Sequence, residues 1–192
     1  MSGFEHSWSQ FHGDHWPIGY RLRQGGAANW VRFHSLPQSK RYADSDDDWR
    51  TLLHRQNALA AAVLGHGPCW LVQTHWVSAP GTTDIADVHD PFAATRAFDL
   101  QLAFELVDAD DGELYRWRVH AGPTRWSNGR FDDLLKKIAD DEAGPTLWMA
   151  QADGSIFAPY DGGVDLFLSQ PSQVAQLKTA HKNWLSAHPE GL

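Results

Sequence analysis

The spacing of apolar and polar positions divides the chain into short strands and three longer helical stretches. Trp30 to His34 (WVRFH) alternates as a strand should. Ser45 is a helix N-cap, and Asp46, Asp47 and Asp48 follow it in the first turn, where carboxylates oppose the helix dipole. Trp49, Leu52, Leu53, Ala60, Val63 and Leu64 then form a stripe at helical spacing that closes at Gly65. Cys69 to Val77 is a strand, followed by a long polar loop, SAPGTTDIADVHDPFAAT. Ala97 to Val107 is a second strand, with Phe98, Leu100, Leu102, Phe104 and Leu106 expected on one face. The turn DADDGE returns it into Leu114 to Ala121, where Arg116, Arg118 and His120 alternate with Trp117, Val119 and Ala121. A helix is expected over about Arg130 to Glu142, ended by Gly144-Pro145, and a last one from Pro171 to near His188.

Between those helices lie Thr146 to Gln151, the turn signal Asp153-Gly154, and the stretch IFAPYDGGVDLFL. Taking Asp161-Gly162 as a two-residue turn pairs Phe157 with Leu166 and Pro159 with Val164, so that apolar partners share a face. Positive φ accounts for Gly162 and Gly163 on this reading, and Pro159 marks a bulge or an edge. Asp165 is left pointing to the opposite face, where a carboxylate needs a partner if buried.

The resulting fold class is α+β: a mainly antiparallel sheet of about six strands with three helices, packed mostly on one face. Residues 30–192 read as a single domain. Residues 1–29 mix glycine, proline and aromatics without a period and are expected to be an irregular extension; within it Tyr20 to Arg23 reads as a short solvated strand.

Composition narrows the function. The 192 residues are 42% hydrophobic and 21% charged, which suits a globular domain, and carry a formal net charge of −8. Nucleic acid is a poor partner for such a chain, because its binding draws on a basic face. One cysteine rules out an intrachain disulfide. The N-terminus has no basic, then apolar pattern of a signal peptide, and no run of apolar residues is long enough to cross a membrane, so a cytoplasmic location is expected. Ten tryptophans and eleven histidines are the unusual counts.

Those histidines raise metal binding. Asp84, Asp87, His89 and Asp90 in the long loop would suit a hard cation, and His12, Asp14 and His15 form a second, weaker group. DADDGE lacks the ligand spacing of a calcium loop and reads as a turn. Cys69 lies in an apolar strand without a basic neighbour and reads as core. His181, three positions before Trp184, reads as packing. Trp8, Trp16, Trp30, Trp76 and Trp126 fall near segment ends or in loops and would form a binding patch if exposed together. No nucleophile elbow, phosphate loop or dinucleotide fingerprint is present, and no cofactor is expected.

LWMAQADGSIFAPYDGGVDLFL, the closing HKNWL helix, and Arg32-Phe33 before the first acidic helix resemble an uncharacterised bacterial family, a domain of unknown function. The family's C-terminal hairpin is rich in Tyr and Asp and is followed by Asp and aliphatics; the stretch here is Tyr-Asp-Gly-Gly-x-Asp, Tyr160 to Asp165. This chain has Gly162-Gly163 where an Asp-Arg pair often stands. The resemblance implies the order of elements and a bacterial cytoplasmic setting, and no activity.

The expectation is a non-enzymatic, protein-binding module of the immunity or antitoxin kind, with a basic protein partner steered by acidic charge. Tyr160, Asp161, Asp165, Trp76 and Trp126 are its candidate binding residues. The alternatives are a metal-assisted hydrolase using the 84–90 loop and small-ligand binding in an aromatic cleft.

Overall fold

The computed structural model describes residues 3–26, 29–77, 92–110 and 113–186. They form α1 (Gly3–His12), α2 (Gly19–Gln24), β1 (Trp30–His34), α3 (Asp46–Leu64), β2 (Pro68–Val77), α4 (Ala93–Ala97), β3 (Gln101–Asp110), β4 (Glu113–Arg125), α5 (Asp132–Ala139), β5 (Thr146–Ala150), β6 (Ile156–Tyr160), β7 (Gly163–Phe167) and α6 (Pro171–Ala180). The seven strands make one antiparallel sheet in the order β1-β7-β6-β5-β2-β4-β3. The α+β class is as the pattern predicts.

The sheet is covered on both faces, not mostly on one. α3, α4, α5 and α6 pack on Phe33, Leu71, Trp148, Phe157, Val164 and Leu166. The opposite face, with Val72, Leu147, Met149, Ile156 and Phe167, is covered by Phe4 and Trp8 of α1 and Leu22 of α2. The two N-terminal helices therefore come from the stretch expected to be irregular, and Tyr20 to Arg23 belongs to α2 instead of a strand. Phe4 and Trp8 are four residues apart on α1 and so share its buried side. Fewer than three turns are too short to show a clear period in a sequence that mixes aromatic and polar residues so closely.

The α3 cap is built as its sequence dictates: the Ser45 hydroxyl accepts from the Asp48 amide, and Gly65 ends the helix at φ 56°. In β3 the parity argument fails. A bulge between Leu102 and Phe104 changes the register, so Leu102 lies opposite His120 and Phe104 opposite Val119. Leu102 is thereby left exposed while Phe104 and Leu106 join the α1 face; Phe98 precedes the strand and packs on the other core. The last helix also stops early, at Ala180, and a short 3₁₀ turn over Lys182–Trp184 brings Leu185 to bridge Phe33.

The β6–β7 hairpin has the expected register, Phe157 with Leu166 and Pro159 with Val164. Its glycines have a different cause from the one expected, because neither Gly162 nor Gly163 has a positive φ. The requirement is space. A Cβ on Gly163 would run into the Phe33 carbonyl oxygen and sit 2.9 Å from the Tyr160 hydroxyl. The absent side chain lets β1 dock on β7 beside that ring.

Gly163→Ala should therefore destabilise the protein by about 1–3 kcal/mol, as overpacking does. Gly67→Ala, whose new Cβ would meet nothing nearer than 3.9 Å, serves as the control in urea unfolding. Equal stability of the two variants would contradict the close-approach account.

Candidate functional site

Asp165 finds its partner on β1. It lies opposite Arg32 in the β1–β7 ladder and opposite Ala158 on β6, so one row of side chains crosses three strands on the α2 face. Arg32 Nε donates to Asp165 Oδ1 at 2.9 Å and its Nη2 to Oδ2 at 3.1 Å. Trp30 Nε1 donates to Oδ1 at 3.0 Å. The carboxylate is buried, 2% exposed, and its two oxygens accept three hydrogen bonds. That geometry is the fork-to-fork pairing that makes arginine–carboxylate contacts strong. Burial works against the Arg32 charge, but the Asp165 hydrogen bonds and charge outweigh it and hold the guanidinium above its ordinary value. The guanidinium lies 4.8 Å from the centre of the Tyr160 ring and 5.6 Å from that of Trp30, so both aromatic faces brace it.

This pair lines a cavity of about 440 Å³. Its position follows from the strands. β5 and β6 pair at Trp148–Phe157 and Met149–Ile156, and the ladder goes no further toward Pro159. Proline has no amide hydrogen to donate, so it can stand in an interior strand where the neighbouring strand has moved away. Pro159 thus marks a local parting of strands, with Pro145 and Thr146 on the other side of the gap. Ile18, Tyr20 and Arg23 close it from the α2 side, and Ile138, Asp141 and Ala143 from the α5 side.

The polar groups of the lining are largely set in pairs. Arg41 at the mouth forms an ion pair with Asp161, to which the Tyr42 hydroxyl also donates at 3.3 Å. Hydrogen bonding to Asp161 holds the Arg41 guanidinium above its ordinary value. Burial pushes the Tyr160 phenol up to about 12, with Arg32 countering it. Arg23 lies 6.0 Å from the Trp30 ring and adds a third cation to the lining.

Of the binding residues named from the sequence, Tyr160, Asp161 and Asp165 come together here. Trp76 stands on β2, 47% exposed, and does not join them; Trp126 is buried among Phe131, Trp148 and Phe157. Trp8 is also core, and Trp16 packs edge-on against Trp117. Among the described residues Trp76 is the one exposed tryptophan, so the tryptophans make no exposed aromatic patch there. Asp84, Asp87, His89 and Asp90 lie outside the described residues. His12 ends α1 and hydrogen-bonds the Gly154 carbonyl at 2.8 Å. Among the described residues no three histidine, cysteine or acidic side chains group as metal ligands. Burial pushes the Cys69 thiol up to about 11, which fits a core residue. Arg32 and Arg23 were not selected from the sequence. The available signal was a single charge in the middle of each of two apolar strands, WVRFH and GVDLF, with opposite signs.

Asp165→Asn removes the charge that compensates Arg32 while keeping the shape. A stability loss of about 3 kcal/mol is expected, since a buried charge is then left uncompensated. Urea unfolding measures it, and a loss within 0.5 kcal/mol, the range of an ordinary surface substitution, would show the pair to be unimportant.

The acidic stretch at the start of α3 meets the end of α5 beside this cavity. Leu36, Leu52 and Ala139 pack together with Ala43 and Trp49, which brings Asp44, Asp46 and Asp47 to the same end of the molecule as Asp140, Asp141 and Glu142. These carboxylates are exposed. Lys40 bonds both Asp44 and Asp48 at 2.6 Å and ties this ridge to the cavity mouth at Arg41.

No curated protein and no solved structure matches the chain. A family model matches residues 18–189, from the start of the α2 side of the cavity to beyond the final 3₁₀ turn. The chain belongs to that family, DUF3885, a domain of unknown function.

Proposed function

We propose that this protein is a non-enzymatic binding module that takes a basic partner protein on the acidic ridge, with the Arg32–Asp165 cavity receiving an anchoring side chain of that partner. The observation that carries this reading is the juxtaposition of a preset cavity with exposed carboxylates at one end of the sheet. Anchors that fill a dry, preorganised pocket dominate binding energy, and surrounding charges set the rate of encounter. The groups in the lining suit binding better than proton transfer. Arg32 and Arg41 are held above their ordinary values and Tyr160 is pushed up to about 12, so all three keep one protonation state near neutral pH. Neutralisation of a basic toxin by an immunity or antitoxin-like protein is the interaction of this type that best fits a net charge of −8.

The product of the neighbouring gene and a panel of small basic proteins are the ligands to test, by biolayer interferometry at low and high salt. Binding should weaken at least tenfold when salt is raised and again when Asp46, Asp47 and Asp141 are changed to Asn. Tyr160→Ala should speed dissociation with little effect on association. Absence of binding at low salt, or binding indifferent to the three Asn substitutions, would overturn the proposal.

A further inference from the structure

The charges that line the Arg32–Asp165 cavity are not all matched. Arg32 is paired with Asp165, and Arg41 with Asp161. Arg23 is half-buried on α2, and among the described residues no carboxylate forms an ion pair with it. Its neighbour is the Trp30 ring. The third acid of the lining, Asp141, is exposed at the mouth and acts on Arg41 instead. One cation of the lining is therefore left over.

Two further donors are uncommitted. Arg32 uses Nε and Nη2 on Asp165, which leaves both N–H groups of Nη1 without an acceptor among the described residues. The Tyr160 hydroxyl also makes no hydrogen bond among them, and neither atom is sealed from solvent. Burial raises the Tyr160 phenol while Arg32 and Arg23 counter it, so both guanidinium groups act on the same ring. Thr146, by contrast, gives its hydroxyl to the Gly144 carbonyl at 2.8 Å. The walls between these groups are aliphatic, with Ile18 and Ala158 on one side and Ile138, Ala143 and Pro145 on the other. Arginine only donates, so its free N–H groups call for an acceptor, and an ionised carboxylate offers two acceptor oxygens and no donor. One unmatched cation takes one negative charge. The second charge of a phosphate would meet Asp161 and Asp165 without a counter-charge.

We propose that the cavity recognises a carboxylate through Arg23, Arg32 Nη1 and the Tyr160 hydroxyl, with the aliphatic body of the ligand on Ile138, Ala143 and Pro145. The volume of about 440 Å³ lies in the range of small-ligand sites, about 300–1,000 Å³. Two sources carry this group: a free small aliphatic acid, and an aspartate or glutamate side chain of a bound protein. The second rests on the role of the cavity as an anchor pocket and names the anchor; the first is independent of that role.

Isobutyrate is the probe, titrated into the ¹⁵N-labelled full chain at fixed ionic strength, with isobutyramide as its neutral counterpart and inorganic phosphate as the other anion. Isobutyrate should shift the amide signals of Arg23, Arg32 and Tyr160 along one saturable curve. Isobutyramide and phosphate should bind at least tenfold more weakly. Arg23→Gln should weaken isobutyrate about tenfold and Tyr160→Phe about threefold, as expected for a charged and a neutral hydrogen bond. Arg50→Gln, in the exposed first turns of α3, should change nothing. Glutamate blocked as its N-acetyl N-methylamide separates the sources. Binding at least as tight as that of isobutyrate assigns the cavity to a protein side chain, and weaker binding assigns it to a free acid. No saturable shift at these residues, equal binding of isobutyramide or phosphate, or isobutyrate binding unchanged in Arg23→Gln would overturn the proposal. If Arg23→Gln does not fold, Tyr160→Phe and the isobutyramide comparison still decide. No partner protein enters these titrations, so their failure would leave binding on the acidic ridge standing, and failure of the ridge would leave the cavity result standing.

Discussion

The ion pair between Arg32 and Asp165 is the constraint on which this end of the molecule depends. β1 is an edge strand paired with one other strand, β7, and touched on its outer side by a single bridge from Leu185 to Phe33. Backbone pairing alone leaves such a strand free to slip by two residues without changing which side chains face the core. A bidentate charge pair in the middle of the ladder, with Trp30 donating to the same carboxylate, favours one register over its neighbours. The pair also shapes the cavity. Tyr160 stacks beside Arg32, Gly163 admits the Tyr160 hydroxyl, and Pro159 lies where β5 and β6 part. Each of these residues is unusual for a strand on its own, and each follows from the same local geometry.

Buried charge pairs seldom raise stability over an apolar alternative, because removing two ions from water costs several kcal/mol each. Their retention is better understood through specificity. Here the guanidinium remains beside an open cavity, so the same pair that favours the strand register also leaves a fixed cation and an aromatic face on the cavity wall. A rigid site lowers the entropy lost on binding. The acidic ridge complements this, since its exposed charges act at long range while the paired charges inside act only on contact.

The large features were legible in the sequence because they rest on local rules. Ser45 and the three aspartates after it fix the start of α3 through capping and the dipole, and alternation marks β1 and β4. The β6–β7 register was legible because a two-residue turn at Asp161-Gly162 sets it and places apolar partners opposite each other. What the sequence left hidden depends on non-local contact. α1 is ordered by the Phe4 and Trp8 contacts with the sheet, which no cap announces. The β3 bulge turns on how Leu102 and Phe104 meet β4, and a parity rule has no means to register an extra residue. Gly163 resembles a turn glycine in sequence, yet the atom that excludes a side chain belongs to Phe33, far away in the chain. Asp165 could be seen to need a partner, but Arg32 becomes that partner only once β1 is known to lie beside β7.

A double-mutant cycle on Arg32→Met and Asp165→Leu, followed by urea unfolding, tests the central role of the pair most directly. The account predicts that the double variant is more stable than the sum of the single losses allows, with a coupling of about 1–3 kcal/mol. Additive losses, with a coupling near zero, would contradict it and leave β1 held by backbone pairing and apolar contact alone.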